Sequence, residues 1–288
     1  MNKLINTILV PVDFSENTGL AISKALEFCQ KCNSSYTIHL FHVQRIAGEG
    51  FSYFFSHLVS GISKQQVSSQ MKQSSDRLEE LKLSIQYDRS DIEVVCWVSF
   101  GDSIQESIIK KAMQLTADII IIGKHSHHTL FPFLNTVIPN KLAIATGIPV
   151  LTAKPGSLHQ EIKTIVIPLD RQFPRSKIEL LSTLNNKSRP HIRLIIFEGD
   201  DMEKIESKQI LLDTFRVFKS HFANMVNYDV LQGDNKAKAL LKYCNKIGAD
   251  VLIVYPGLET RVGIWVNSHI SDLLPSESKT QILAVSPD

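Results

Sequence analysis

The chain has 288 residues, of which 43% are apolar and 21% charged, as is typical of a soluble globular protein long enough for two domains. Its 31 basic and 29 acidic residues give a net charge of +2, which argues against broad binding to nucleic acid or to anionic lipid. No apolar run approaches the ~18 residues that span a bilayer. Asp13 interrupts the first apolar run too early for a signal-peptide core, and four cysteines do not make a disulfide framework. We therefore expect a cytoplasmic protein with neither a nucleic-acid nor a membrane partner.

Apolar strands alternate with helices along the first half of the chain. The pattern predicts strands over 8–12, 36–43, 92–98, 119–122 and 150–153, and helices over 16–31, 51–83, 102–116 and 134–145. Ser15 and Asp102 are the expected N-caps of the first and third helices. Continuous apolar strands are buried on both faces, so they belong in a parallel sheet that is covered by helices on both sides.

The second half of the chain repeats the first. The segment Ile8-Leu9-Val10-Pro11-Val12-Asp13 returns 157 residues later as Ile165-Val166-Ile167-Pro168-Leu169-Asp170. Nearer the end of each copy the offset is 132: Gly101-Asp102 returns as Gly233-Asp234, Ala117-Asp118 as Ala249-Asp250, and Leu151 as Leu283. The difference between the two offsets predicts an insert of about 25 residues in the first copy, within 45–83. We expect two domains, copy one over 1–155 and copy two over 161–288, joined by a short polar linker.

Each copy is expected to be a doubly wound α/β domain with a five-stranded parallel sheet, and copy two has a shorter second helix near 205–220. In such sheets, ligands bind beyond the carboxyl ends of the strands, at the point where the strand order reverses. In copy one, the loops that begin at Asp13 and at Gly123 follow the first and fourth strands. These two loops are the candidates for a binding site.

Three segments of the chain resemble the universal stress protein family in its tandem two-domain form. They are ILVPVDFSENTGLAISKALEF, GDSIQESIIKKAMQLTADIIIIGKHS and NTVIPNKLAIATGIPVLTAKP. The resemblance covers nearly all of 4–155 and, more weakly, 163–287. It implies a Rossmann-like fold of the adenine-nucleotide α-hydrolase type. It also implies that the two copies pair through their last strands as an internal pseudo-dimer, as single-domain members of the family do when they dimerise.

The resemblance also implies an ATP site. Family members that bind ATP use Gly-x-x-Gly, nine residues, and then Gly-Ser/Thr, because glycine lets backbone N–H groups approach phosphates closely. In this chain Gly123 matches the first glycine, Ser126 and Asn135 replace the other two after a spacing shorter by one residue, and Thr136 keeps the hydroxyl before Val137. The residues that would border adenine and ribose are Pro11, Val12, Asp13, Val43 and Ile122. The alternative for Asp13 is a structural role, in which its carboxylate accepts hydrogen bonds from nearby N–H groups.

Copy two departs further from the ATP-binding pattern, with Tyr255 at the position of Gly123. ATP is therefore expected in copy one only, if at all.

Two other segments each have two possible interpretations. The histidines of 125–128 could bind a metal or belong to a solvated loop. The aromatic segment 51–59 could pack in a core or form a surface for a protein partner or a homodimer.

Three functions are consistent with these residues. The chain could be a binding module that has lost ATP and acts through protein contacts, an adenine-nucleotide sensor that uses copy one, or a weak ATP hydrolase. It contains neither a P-loop nor a Gly-x-Ser-x-Gly nucleophile turn, and no acid, base or nucleophile can be placed. We therefore expect a non-catalytic regulatory protein of the stress response, with a degenerate ATP site in copy one.

Overall fold

A computed structural model describes residues 5–29, 36–44, 64–101, 103–124, 137–169, 173, 177–184, 190–197, 201–222, 225–233, 235–255, 274 and 277–286. Copy one contains the strands β1 Thr7–Val12, β2 Thr37–Gln44, β3 Glu93–Phe100, β4 Ile119–Gly123 and β5 Val150–Ala153. Its helices are α1 Glu16–Cys29, α2 Lys64–Asp88, α3 Ile104–Gln114 and α4 Pro139–Thr146. The five predicted strands are confirmed within two residues at each end.

Copy two repeats this order of elements. Its strands are β6 Thr164–Pro168, β7 His191–Phe197, β8 Val226–Leu231, β9 Val251–Val254 and β10 Gln281–Ala284, and its helices are α5 Ile178–Thr183, α6 Asp201–Phe222 and α7 Lys236–Ile247. The second helix is indeed shorter in copy two, but only slightly, because α2 has 25 residues and α6 has 22. The main difference in length therefore lies before these helices, where 45–63 separate β2 from α2 and 198–200 separate β7 from α6. The insert predicted over 45–83 stays a prediction, because 45–63 lie outside the described residues.

Two helix starts differ from the prediction. The cap of α3 is Ser103 and not Asp102: the Ser103 backbone is extended, and its hydroxyl accepts a hydrogen bond from the Glu106 N–H at 3.3 Å. Helix α4 begins at Pro139 rather than near 134, because proline fits the first helical position, where no N–H bond is needed. The Ser15 cap of α1 is confirmed, since its hydroxyl accepts from the Asn17 N–H at 3.2 Å.

All ten strands form one sheet, in the order β3-β2-β1-β4-β5-β10-β9-β6-β7-β8. Pairing is parallel within each copy and antiparallel between β5 and β10, where the two copies meet through their last strands. At this junction Leu151 lies opposite Leu283, its own equivalent in the repeat. The junction therefore has the local symmetry of an isologous contact between two related units.

Buried apolar side chains cover both faces of the sheet. One cluster lies under α1, α2, α5 and α6, and the other lies under α3, α4 and α7. Within the described residues, no helix has the length and apolar character that crossing a membrane requires.

The repeated Ala-Asp pair has a structural role in each copy. The Asp118 carboxylate accepts hydrogen bonds from the Asn6 and Thr7 N–H groups, both at 3.0 Å. In copy two, the Asp250 carboxylate accepts from the Lys163 and Thr164 N–H groups at 2.9 and 2.8 Å. Each aspartate thus ties the strand that follows it to the start of the first strand of its copy.

A buried ion pair on α1 holds the linker between the copies. The Lys24 ammonium lies 2.5 Å from the Glu27 carboxylate and donates to the Ser157 carbonyl at 2.7 Å. The other Glu27 oxygen accepts from the His159 N–H at 2.6 Å. Burial lowers the pKa of Lys24 below its usual value, and the hydrogen bond to Glu27 opposes this shift. The pair therefore carries the desolvation cost of two charges while it fixes the linker.

The end of copy one and the linker that follows it both contact copy two directly. The Lys154 ammonium is 2% exposed and donates to the Leu274 carbonyl at 3.1 Å. Gly156 lies so near the Glu277 carbonyl that an added Cβ would stand 2.0 Å from its oxygen. The linker is consequently part of the packed interface between the copies.

We predict that Asp118→Ala lowers the free energy of unfolding by ~2 kcal/mol, because two N–H groups at the start of β1 lose a charged acceptor. Urea denaturation measures this loss. The control is Asp76→Ala on the exposed side of α2, which should change the same quantity by less than ~0.5 kcal/mol. Equal effects of the two substitutions would contradict the structural role of Asp118.

We also predict that Glu27→Ala costs ~3–5 kcal/mol, because it leaves the Lys24 ammonium buried without its counter-ion. The double variant Lys24→Met/Glu27→Ala should regain most of this loss in urea denaturation. The matched control is Glu79→Ala, which removes an exposed Lys–Glu pair of the same spacing and should cost at most ~1 kcal/mol. A double variant no more stable than Glu27→Ala would argue against an unpaired charge as the cause.

Candidate functional site

The strand order reverses between β1 and β4 in copy one. Strands β2 and β3 extend from one side of β1, whereas β4 and β5 lie on its other side. The pairing of Ile8 with Ile119 and of Leu9 with Ile120, continued along the strands, places Val12 level with Gly123. The loops after β1 and β4 therefore begin side by side at one rim of the sheet, where ligands bind in folds of this kind.

Asp13 organises the turn between β1 and α1. Its Oδ1 accepts hydrogen bonds from the Ser15 N–H at 3.0 Å, the Ser15 hydroxyl at 2.6 Å and the Thr18 hydroxyl at 2.9 Å. Thr18 in turn accepts from the N–H groups of Asp13 and Phe14, both at 3.1 Å. These bonds give Asp13 the structural role that was one of its two predicted roles.

The second carboxylate oxygen of Asp13 has a different hydrogen-bonding environment. Oδ2 is buried and has no hydrogen-bond partner among the described residues. A buried carboxylate oxygen without a donor costs free energy, and such atoms are uncommon in folded proteins. The turn therefore satisfies Oδ1 of the carboxylate and leaves Oδ2 buried without a donor among the described residues.

An aromatic and cationic stack adjoins this turn. Phe14 has φ +59°, in the left-handed region that a residue with a Cβ seldom adopts. Its ring contacts the His42 ring at a centroid distance of 4.6 Å, and the Arg77 guanidinium lies 3.9 Å from its centroid. The His42 Nδ1 bonds to the Val12 carbonyl at 2.8 Å. These contacts fix Phe14 beside Asp13 despite the unfavourable backbone conformation.

Gly123 ends β4 at the point where α1 crosses it. An added Cβ would stand 1.9 Å from the Asn17 carbonyl oxygen and 2.7 Å from its carbon, so no side chain fits. The glycine that was predicted to approach phosphate is therefore also required for the packing of α1 against β4. Lys124, which follows it, is only 7% exposed.

The structure places the other predicted site residues as follows. Pro11 and Val12 are buried at the end of β1. Val43, Ile122 and Val137 are at most 2% exposed and belong to the same apolar cluster. They belong to the apolar core on one face of the sheet, below the loops that begin at Asp13 and Gly123. The described residues do not include Ser126, Asn135 or Thr136. They also do not include the histidines of 125–128 or the aromatic segment 51–59. In the part of the chain that is described, no three His, Cys, Asp or Glu side chains are grouped as a metal site would need.

The corresponding rim of copy two is filled by aromatic rings. Tyr255, at the position of Gly123, is fully buried and lies edge-on to Phe173 at a centroid distance of 6.2 Å. Phe173 lies edge-on to Phe218 at 5.2 Å, and Phe218 stacks on Phe222 at 5.7 Å. At the end of its fourth strand, copy two therefore has packed aromatic side chains. Copy one has, at the same position, a close contact between the backbones of β4 and α1.

Sequence reasoning missed Phe14, His42 and Arg77. The available signal for His42 was that it lies in a mostly apolar strand, because a buried imidazole needs a hydrogen-bond partner. Phe14 and Arg77 gave no such signal. They are 63 positions apart in the sequence and meet only in the folded chain, where α2 packs on β2 and β3.

We predict that Gly123→Ala destabilises the chain by more than ~3 kcal/mol, because its Cβ would collide with the backbone of α1. The control is Gly19→Ala in the same helix, where an added Cβ meets nothing within 4 Å. That variant should be up to ~1 kcal/mol more stable, since alanine favours the helix. Thermal denaturation of both variants provides the comparison, and a neutral Gly123→Ala would contradict the described packing.

Comparison with known proteins places the chain in a family. The model of the universal stress protein family matches residues 5–154, whereas no curated protein sequence matches. A universal stress protein from Archaeoglobus fulgidus DSM 4304 has a similar structure, with a TM-score of 0.65 at 14% identity, covering 98% of this chain and 96% of its own. A functionally unknown protein from Pseudomonas aeruginosa PAO1 has a TM-score of 0.56 at 15% identity, covering 99% of this chain and 93% of its own.

A further protein, from Pseudomonas aeruginosa UCBPP-PA14 and described as a universal stress protein, has a TM-score of 0.55 at 15% identity, covering 99% of this chain and 94% of its own. At such identities the likeness establishes the fold alone, and it extends over both copies. The family model, by contrast, matches more than half of the chain. The chain therefore belongs to the universal stress protein family.

Proposed function

We propose that this chain is a non-catalytic regulator of the stress response that binds an adenine nucleotide through copy one alone. Bound nucleotide would change how the protein contacts its protein partners. The observation that carries this proposal is Asp13, whose Oδ1 organises the turn after β1 while its buried Oδ2 has no donor among the described residues.

The nucleoside half of a nucleotide matches this arrangement. The exocyclic amine of adenine and the hydroxyl groups of ribose are hydrogen-bond donors, which is what a carboxylate oxygen requires. The Asp13 turn is already fixed by Ser15 and Thr18, so that binding would not have to order it. A preformed acceptor of this kind favours binding because little conformational entropy is lost.

Binding of the phosphate groups has weaker support. Ser126 and Asn135 stand where the family's ATP-binding pattern has glycine, and a side chain there would keep phosphates from the backbone N–H groups. We therefore propose that the nucleoside supplies most of the affinity and that the phosphates add little. On this basis ATP, AMP and adenosine should bind with similar strength.

Copy two would act as a structural partner. The Tyr255 and Phe173 rings occupy the rim where a nucleotide would have to enter, and both residues are at most 5% exposed. A ligand there would have to displace buried aromatic side chains, which costs several kcal/mol. One nucleotide per chain is the expected stoichiometry.

Two of the three described thiols also favour binding over chemistry. Burial raises the pKa of Cys96 to about 11 and that of Cys244 to about 12. The thiolate form, which is the nucleophile, is therefore scarce at neutral pH in both residues.

Calorimetric titration with ATP, AMP and adenosine tests the proposal. We expect one site per chain and dissociation constants that differ by less than ~10-fold among the three ligands, because the phosphates contribute little. Asp13→Asn replaces one carboxylate oxygen by an amide donor and removes the charge, so it should weaken binding of all three by ~10-fold or more. The matched control, Asp76→Asn on α2, should leave binding unchanged.

Three results would count against this function. Absence of heat at millimolar ligand would reject nucleotide binding. An affinity for ATP far above that for adenosine would mean that the phosphate loop works despite its substitutions. Phosphate release from ATP above the rate of a buffer blank would reject the non-catalytic role.

A further inference from the structure

The helices on the two faces of the sheet differ in charge. Helices α3, α4 and α7 cover one face, and α1, α2, α5 and α6 cover the other. The sequences of α3, α4 and α7 contain seven lysines and one acidic residue, Glu106. By contrast, α2 and α6 each contain four Lys or Arg and four Asp or Glu residues. The outer surface of α3, α4 and α7, called the lysine face below, is therefore strongly cationic although the net charge of the chain is only +2.

Most of these lysines point away from the sheet. Helix α7 buries Ala237, Leu240 and Cys244. On its outer side, exposed lysines recur at every fourth position, at 238, 242 and 246. The other exposed lysines of the lysine face are Lys110, Lys141 and Lys236. Among the described residues, no ion pair neutralises these six side chains. Their charges are consequently available to an anionic partner.

The lysines are spread over a broad surface. The local symmetry of the β5–β10 junction places α3 and α7 at equivalent positions on either side of it, and Lys110 and Lys242 are equivalent residues of the repeat. Helix α4 lies between them, because it packs on β5 and β10. An extended anionic partner fits such a surface better than a small anion, which needs donors that converge on one point.

The same face has two exposed apolar side chains. Met113 on α3 is 56% exposed, and Ile144 on α4 is 49% exposed. Each follows an exposed lysine by three residues, Lys110 and Lys141 respectively, so each lies beside that lysine on the outer side of its helix. Basic side chains with apolar neighbours are typical of surfaces that lie on anionic membranes, where the apolar groups enter the headgroup region.

Nucleic acid fits this surface less well. The three helices contain no arginine, the residue whose planar guanidinium binds a phosphate through two hydrogen bonds. Base stacking needs an open aromatic ring, whereas the Trp97 ring on this face is covered by the Lys111 ammonium, 4.0 Å from its centroid. A phosphate backbone also offers no apolar partner to Met113 and Ile144. The combination therefore favours lipid.

We propose that the lysine face binds reversibly to the surface of an anionic lipid bilayer without crossing it. The lysines attract the anionic headgroups, and Met113 and Ile144 enter the interface beside them. The net charge alone predicted no membrane partner, because the acidic residues that balance the lysines lie outside α3, α4 and α7, apart from Glu106. This role goes beyond nucleotide binding and does not depend on it.

Co-sedimentation of the full chain with vesicles tests this proposal. Vesicles of phosphatidylcholine alone carry no net charge, and vesicles with equal parts of phosphatidylserine are anionic. We expect binding to the anionic vesicles to be at least ~10-fold tighter. Raising the salt from ~0.1 to ~1 M shortens the screening length from ~10 to ~3 Å, so it should release most of the bound protein. Equal binding to both kinds of vesicle, or no binding to either, overturns the proposal.

Charge reversal tests the face itself. Lys238→Glu/Lys242→Glu reverses two charges on the outer side of α7 and should weaken binding to anionic vesicles at least ~10-fold. The matched control is Lys72→Glu/Lys208→Glu, which changes the net charge equally at exposed positions of α2 and α6 on the other face. This control should bind nearly as the unaltered chain does. Equal losses in the two variants would reject the lysine face as the binding surface, and circular dichroism shows whether both are folded.

The apolar contribution separates lipid from nucleic acid. Met113→Ser/Ile144→Ser should weaken binding to anionic vesicles several-fold, because less apolar surface enters the interface. Its control, Met71→Ser/Leu83→Ser, makes a similar change at exposed positions of α2 and should leave binding intact. Fluorescence anisotropy with a labelled DNA duplex and a single-stranded RNA measures the competing partner at the same salt. The proposal is overturned if either nucleic acid binds more tightly than the anionic vesicles, or if Met113→Ser/Ile144→Ser binds them unchanged.

Discussion

The antiparallel pairing of β5 with β10 is the interaction on which the rest of the structure depends. Each copy alone would have an exposed last strand with unpaired backbone groups, and the junction satisfies both strands at once. It also reverses strand direction between the copies. The carboxyl ends of β1 and β4 therefore lie at the opposite rim of the sheet from those of β6 and β9. The Asp13 turn and the aromatic cluster around Tyr255 consequently lie at opposite edges of the sheet.

The two copies share a framework and differ at its rims. Asp118 and Asp250 accept the same pair of backbone N–H groups in each copy, which explains why this motif recurs where the loops do not. Gly123 and Tyr255 occupy equivalent positions but produce a close backbone approach in one copy and an aromatic core in the other. The two copies therefore share the contacts that hold their strands together and differ in how the ends of their fourth strands are packed.

The strands and the repeat could be predicted because they rest on local apolar patterns and on constant spacing. Helix starts were less predictable: Asp102 and Ser103 are both good caps, and only the backbone geometry selects Ser103. The two unlike oxygens of Asp13 could not be predicted, because their environments depend on how the turn folds around Thr18.

The aromatic packing around Tyr255 makes the divergence of the two copies hard to reverse. A return from tyrosine to glycine would remove a fully buried ring that lies against Phe173, and the resulting cavity would cost ~3–5 kcal/mol. Because that loss is a large share of the stability of a typical domain, selection would remove such a variant before a ligand could compensate for it. Evolution of a nucleotide pocket in copy two would therefore require several coordinated substitutions.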